Sequence, residues 1–95
     1  MKPVIERPHP SELGGIQKLY RFDNGYGASV VRNQYSYGGN KGLWEVAVLR
    51  FTGPDIEDFK ISYDTSITDD VMGYLDEKQL EDLLRQIESL RKETQ

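Results

Sequence analysis

The last segment of the chain carries apolar residues on one helical face only. They are Leu80, Leu83, Leu84, Ile87 and Leu90. This spacing predicts an amphipathic helix. Asp76, followed three residues later by Gln79, resembles a capping box and predicts that the helix begins there. A short helix with a single apolar face is marginal in water, so it must pack on the rest of the chain.

The segments before the helix show the period of two that is typical of β-strands. Residues 16–37 read as two strands around Asn24-Gly25, a pair that favours a tight hairpin in which both central residues adopt positive φ. On the second strand, Ala28 and Val30 share one face. The only surface available to the helix is therefore a sheet.

Two further strands are predicted downstream. The run "LWEVAVLRF" at 43–51 is apolar on both faces and predicts a central strand, with Trp44, Val46 and Val48 on one side. In "DFKISYD" the alternation predicts one inward and one outward set. The inward set is Phe59, Ile61 and Tyr63, and the outward set is Lys60, Ser62 and Asp64. The fold class expected is α+β: an antiparallel meander of about four strands with one C-terminal helix packed on the sheet.

Length and composition bound the domain organisation. A chain of 95 residues predicts one domain. Pro3, Pro8 and Pro10 predict an extended proline-containing arm over residues 1–12, loosely held, which leaves 13–95 as a single α+β domain. The sequence has no cysteine and no apolar run long enough to span a membrane. Its start has no apolar segment before the prolines, so we expect no secretory signal. We therefore expect a cytoplasmic protein that does not contact a membrane.

The stretch "YSYGGNKGLW" at 35–44 raises the question of whether it is a ligand-binding loop or a turn. No Ser or Thr follows Lys41, so it is not a phosphate-binding loop, and its three glycines favour a turn between strands. Tyrosines beside a turn are good interface anchors when they are exposed. Tyr35, Tyr37, Lys41 and Trp44 are therefore candidate interaction residues.

Charge is distributed unevenly along the chain. Residues 1–50 carry seven bases and four acids, whereas residues 51–95 carry five bases and twelve acids. Asp69 and Asp70 lie in the densest acidic part and are candidate interaction residues, because such a face can steer a partner. The alternative is a solvated face, with this pair ending a strand or capping a turn. The pair lacks the alternate spacing of a calcium-binding loop.

Catalytic chemistry has little support in the residues. The only histidine, His9, lies between two prolines, so a catalytic triad or a histidine-rich metal site is not expected. We expect no enzyme activity, no metal and no cofactor. Arg21, Arg32 and Lys41, interleaved with Tyr20, Tyr35 and Tyr37, resemble a surface for single-stranded nucleic acid, although a pI near 4.9 argues against it.

Three strings carry a resemblance to a known group. "RFDNGYGASVVR", "YGGNKGLWEVAVL" and "YDTSITDDVMGYL", followed by the leucine-striped helix, resemble a group of small uncharacterised proteins of phages and bacterial mobile elements, over residues 19 to 90. The resemblance implies a fold family and a phage or prophage setting, and it carries over no catalytic residue.

Together these features predict a small non-enzymatic phage-type accessory protein that acts by protein–protein interaction and modulates or inhibits a host protein. The partner's identity is open, and the chain is expected to be a monomer or a small homo-oligomer. The alternative is a nucleic-acid-binding protein that uses the Arg, Lys and Tyr residues of the sheet and of loop 33–42.

Overall fold

An antiparallel sheet carries one helix at the end of the chain. The computed structural model describes residues 1–10, 14–63, 65 and 71–91. The elements in chain order are β1 (Ile5–Pro8), β2 (Ile16–Arg21), β3 (Tyr26–Arg32), a 3₁₀ turn (Gly39–Lys41), β4 (Trp44–Phe51), β5 (Phe59–Ile61), β6 (Met72–Leu75) and α1 (Glu77–Glu88). Strands β1 to β5 are neighbours in chain order. Strand β6 pairs with the first half of β4, and β5 pairs with its second half. The predicted α+β meander is confirmed, with six strands where about four were expected.

The main core lies between α1 and the face of the sheet formed by alternate residues of β2, β3 and β4. Trp44, Val46 and Val48 of β4 all lie on this face and are at most 2% exposed. Ala28 lies opposite Val48 in the adjacent strand and is fully buried. The helix contributes four residues of its predicted stripe, namely Leu80, Leu83, Leu84 and Ile87. The fifth, Leu90, lies just beyond the helix and is partly buried against the core. The predicted core face of β4 and the capping box of Asp76 with Gln79 are both present.

The N-terminal segment is extended, as its prolines predict, but it belongs to the sheet. Strand β1 pairs with β2 in antiparallel register, with Ile5 opposite Leu19 and Pro8 opposite Ile16. Proline is accepted in an edge strand, where one side of the backbone has no ladder partner to bond. Residues 5–8 are therefore an edge strand and not a loose arm.

The β2–β3 hairpin forms where Asn-Gly predicts it, but with a different turn. The amide of Phe22 donates to the carbonyl of Tyr26 at 2.8 Å, and that of Gly25 donates to the carbonyl of Phe22 at 3.2 Å. Gly25 has a φ of 86°, whereas Asn24 does not have a positive φ. The loop therefore has three residues and ends in a glycine with positive φ. The predicted two-residue turn, in which both residues have positive φ, is wrong.

The predicted orientation of the β5 segment is wrong at residues 61–63, while the half-buried Phe59 and the exposed Lys60 agree with it and Asp64 lies outside the described residues. Ile61 and Tyr63 are 44% and 52% exposed, while Ser62 is only 6% exposed. Ile61 lies opposite Leu49 and so faces away from the helix, whereas Lys60, opposite Arg50, lies on the helix side. Alternation predicts that Ile61 and Tyr63 share a face, but only pairing with β4 decides which face that is.

A second, smaller buried region lies on the face of the sheet away from the helix. Leu19 and Leu49 point to this face and are 0% exposed. Arg7 of β1 forms an ion pair with Glu57, and Arg21 of β2 donates to the carbonyl of Pro54 at 3.0 Å. These two arginines tie the β4–β5 loop to the same face, so the sheet is covered on both sides.

Leu84→Ala tests whether docking of the stripe maintains the helix. Leu84 is fully buried, so the truncation should lower the free energy of unfolding by about 2–5 kcal/mol. Gln86→Ala, on the exposed side of the same helix, should change it by less than about 0.5 kcal/mol. Urea unfolding measures both variants, and equal small losses would show that the helix does not depend on its contact with the sheet.

Tyr20 should make stability fall in alkali. Its burial, together with the nearby carboxylates of Glu81, Glu6 and Glu77, raises the pKa of the phenol above 10.0. The unfolded chain then loses this proton at a lower pH than the folded chain, so the contribution is complete below about pH 10 and disappears as pH rises through the folded pKa. Tyr20→Phe should therefore reduce the alkaline loss of unfolding free energy, whereas Tyr35→Phe, at an exposed ring, should retain it.

Candidate functional site

The β3–β4 loop begins with a turn that is closed by Asn33 and Ser36. The side-chain carbonyl of Asn33 accepts from the amides of Tyr35 and Ser36, both at 2.8 Å. The Ser36 hydroxyl donates to the backbone carbonyl of Asn33 at 2.9 Å. Such side-chain bonds hold a turn without a regular strand or helix. Tyr35 is therefore attached to a turn with a defined backbone.

The second half of the loop is a glycine-rich 3₁₀ turn. The carbonyl of Gly38 accepts from the amides of Lys41 and Leu43, both at 3.0 Å. Gly38 and Gly42, on either side of the turn, have φ values of 85° and 76°, which most other residues adopt only with strain. The stretch is thus the glycine-rich turn that was favoured, and it is folded compactly enough to hold its tyrosines in place.

Strand β6 contains a bulge beside this loop. Met72 lies opposite Val46 and Leu75 lies opposite Trp44, so two residues of β6 face the single residue between them on β4. One of the two is Tyr74, whose φ is 58°. Among the residues that the structure describes, it is the one non-glycine with a positive φ. A bulky residue in this conformation is strained.

The bulge and the loop support each other. The amide of Tyr74 donates to the carbonyl of Tyr37 at 3.0 Å. A Cβ atom on Gly73 would overlap the side chain of Tyr37, and one on Gly38 would lie 2.9 Å from the Cα of Tyr74. Two glycines therefore allow the backbones of loop and bulge to come into direct contact. This contact brings together residues that are distant in the chain.

The loop and the bulge together carry three exposed tyrosines and one lysine. Tyr35, Tyr37 and Tyr74 are 65%, 57% and 56% exposed. The ammonium nitrogen of Lys41 lies 5.8 Å from the centre of the Tyr74 ring, within the range of a cation–π contact. We call these four residues the tyrosine surface. It offers aromatic area, hydroxyl groups and one positive charge on a hydrogen-bonded backbone.

Trp44 was a candidate for the same surface, but the structure places it in the core. It is 2% exposed and shares the helix face of β4 with Val46 and Val48. Its indole nitrogen donates to a carboxylate oxygen of Glu77 at 3.0 Å. Because alternation along a strand fixes the face of every second residue, Trp44 follows the core residues of its own strand.

The cations that were grouped as a nucleic-acid surface are divided by the fold. The guanidinium of Arg32 lies 4.1 Å from the centre of the Trp44 ring, on the helix side of the sheet. The guanidinium of Arg21 lies 4.5 Å from the centre of the Phe51 ring, on the opposite side. Lys41 alone of the three belongs to the tyrosine surface.

Two predicted site residues, Asp69 and Asp70, lie outside the described residues and stay predictions. Sequence reasoning missed Tyr74. The signal that could have found it is Gly73 inside the strand-like run "VMGYL", because an isolated glycine in a strand often marks a bulge.

Comparison with known proteins assigns no relative to this chain. No family model, no curated protein and no solved structure matches it. Within the described ranges 1–10, 14–63, 65 and 71–91, no group of three or more acidic, histidine or cysteine side chains could hold a metal ion. In the same ranges, no helix is both long and apolar enough to cross a membrane.

Tyr74→Asn tests the strain at the bulge. Asparagine tolerates the left-handed conformation better than tyrosine, and the tyrosine ring is more than half exposed, so little packing is lost. We expect the free energy of unfolding to rise by about 0.5–1 kcal/mol. Tyr63→Asn is the matched control: it removes a ring of similar exposure where φ is not positive, and no gain is expected. A loss of stability at position 74 would show that the ring contributes to folding.

Proposed function

We propose that this protein is a non-enzymatic accessory protein that acts by binding a protein partner through the tyrosine surface. The observation that carries the proposal is the combination of backbone strain and ring exposure at Tyr74. A left-handed tyrosine costs about 1–2 kcal/mol, and glycine or asparagine would avoid most of that cost. A ring that is mostly exposed contributes little to the stability of its own fold. A partner that covers the ring accounts for its presence.

The side chains are suited to protein recognition. Tyrosine presents a large rigid area through two rotatable bonds and ends in a hydroxyl group, so it is frequent among the residues that dominate binding free energy. Three such rings lie on a backbone already held by the bonds of Asn33, Ser36 and Gly38. A preformed surface loses less conformational entropy on association than a mobile loop does.

The setting of the proposal comes from the sequence. The resemblance to small phage and mobile-element proteins supports a phage or prophage setting, in which the protein modulates or inhibits a host protein. We expect it to be cytoplasmic and a monomer or a small homo-oligomer. The acidic second half of the chain, with Asp69 and Asp70, would add long-range attraction to a basic partner and raise its association rate.

Nucleic-acid binding, the alternative, has less support. Tyr35, Tyr37 and Lys41 could stack and pair with single-stranded bases and phosphates. However, Arg21 lies against Phe51 on the opposite side of the sheet from Arg32, so the three cations do not form one surface. Arg32 donates to the carbonyl of Gly42 at 3.2 Å and is the arginine that lies beside the loop.

The test is affinity capture from bacterial lysate with a matched pair of variants. One variant carries Tyr35→Ser, Tyr37→Ser and Tyr74→Asn, and the other carries Tyr63→Ser, which removes a ring of similar exposure outside the surface. Quantitative mass spectrometry should identify a protein retained by the wild type and by Tyr63→Ser. With the purified partner, the triple variant should bind at least about 30-fold more weakly, as loss of about 2 kcal/mol implies.

Thermal unfolding of both variants confirms that each is folded before binding is compared. A partner that binds the triple variant and the wild type with equal affinity would contradict the proposal. Retention that disappears when the lysate is treated with nuclease, together with salt-sensitive binding of a single-stranded oligonucleotide, would favour the alternative.

A further inference from the structure

Asn24, at the turn between β2 and β3, is bonded to the far end of α1. Its side-chain nitrogen Nδ2 lies 2.9 Å from the carbonyl oxygen of Ile87, 3.0 Å from that of Glu88 and 2.9 Å from that of Leu90. The carbonyls of Ile87 and Glu88 are among the last four of the helix, which lack the regular partner four residues ahead, and that of Leu90 lies just beyond the helix. The Ile87 carbonyl also accepts from the Leu90 amide at 3.1 Å. One amide from a hairpin 63 residues away therefore caps the C-terminus of the helix.

The other half of the amide is engaged in the hairpin. The side-chain oxygen Oδ1 accepts from the backbone amide of Tyr26 at 3.0 Å. The amide of Gly25, the next residue, donates to the carbonyl of Phe22 at 3.2 Å. The Asn24 oxygen and the Gly25 nitrogen are thus bonded within the hairpin, whereas Nδ2 is bonded only while the end of the helix stays docked.

Asn24-Gly25 is also a reactive pair. A backbone nitrogen that follows asparagine can attack the side-chain carbon Cγ, and glycine obstructs this attack least because it has no side chain. A Cβ atom added to Gly25 would meet no atom within 4 Å, so the surrounding structure leaves space on this side. What opposes the reaction is the set of hydrogen bonds that hold the Asn24 amide in place.

We propose that Asn24 is a site of spontaneous deamidation that the docked C-terminus of α1 protects, and that the reaction irreversibly removes the cap of the helix. The Gly25 nitrogen forms a bond to Cγ, the bond from Cγ to Nδ2 breaks, and the displaced NH₂ group leaves as ammonia with the proton from the Gly25 nitrogen. Water then adds to a carbonyl of the cyclic imide and opens it to aspartate or isoaspartate. No oxidant or reductant is involved.

The product cannot replace the original contacts. An ionised carboxylate has no proton to donate, so the carbonyls of Ile87, Glu88 and Leu90 lose the donor that Asn24 supplied. The new negative charge also lies at the negative end of the helix dipole, where it is unfavourable. The last turn of α1 should therefore open more often after the reaction. The fraction of chains converted at Asn24 would therefore increase with the total time that the helix has spent undocked.

The first experiment measures the reaction itself in the full chain. The protein is incubated at mildly alkaline pH, folded or in urea, and peptide mapping quantifies conversion at Asn24, with Asn33 and Asn40 as internal controls in the same chain. In urea, Asn24 should convert well ahead of both controls. In the folded protein its rate should fall at least about tenfold, because reaction then requires local opening. Equal rates at Asn24 in the two conditions would overturn the protection.

A variant that weakens docking of the helix but leaves the hairpin unchanged shows whether the helix or the turn protects Asn24. Ile87 is fully buried, so Ile87→Ala should increase opening and speed conversion of Asn24 in the folded protein by at least about tenfold. Gln86→Ala, on the exposed side of the helix, should leave the rate unchanged. If Ile87→Ala lowers stability but leaves the rate unchanged, the turn alone protects Asn24 and the proposal fails.

The consequence for the helix is tested with the product-like variant. Asn24→Asp should speed hydrogen exchange of the Ser89 and Leu90 amides by about tenfold or more, because these amides bond within the last turn. Asn40→Asp adds the same charge at an exposed position and should not change the exchange. Asn24→Ala, which removes the donors without adding charge, should give an intermediate increase. Unchanged exchange in both Asn24 variants would show that the cap does not hold the helix.

Discussion

The apolar stripe of α1 is buried against the β2–β4 face of the sheet, and the two layers are held together mainly by this contact. Leu84 and Ile87 are both completely removed from water. Burying side chains of this size contributes about 1.5–3 kcal/mol each. A helix of 12 residues is marginal in isolation, so its existence depends on that burial. The cover that the helix gives to Val46 and Val48 depends on it in turn.

Two polar contacts join the ends of the helix to the sheet. At the first turn, Glu77 accepts from the indole nitrogen of Trp44 at 3.0 Å. At the last turn, Asn24 donates to three carbonyls. One contact anchors each end of α1 to a different strand or turn of the sheet. The apolar stripe therefore sets which face docks, and the polar pair adds one contact at each end of the helix. Deamidation of Asn24 would remove the polar contact at the end of the helix without removing the apolar contact.

The tyrosine surface differs from this core contact, because its tyrosines stay exposed and one of them, Tyr74, has a strained backbone. Loop and bulge contact each other through glycine, and the bulge holds Tyr74 in a conformation that a smaller or more permissive residue would adopt with less cost. Strain that could be relieved by one substitution is typical of positions where function and stability compete. The core beneath is separate, since Trp44 is buried against Arg32 and Glu77 and does not join the surface.

The sequence by itself determined those features that depend on local periodicity and local bonding: the α+β class, the helix with its capping box, the core face of β4, and a turn at 33–42 that carries Tyr35 and Tyr37. Only the tertiary structure decided which face Ile61 and Ser62 occupy, that residues 5–8 join the sheet, that Tyr74 reaches Lys41, and that Asn24 caps α1. Each of these depends on which distant segments become neighbours. A period of two says that alternate residues share a face, but it cannot say what covers that face. Pairing and packing across the whole chain supply that information.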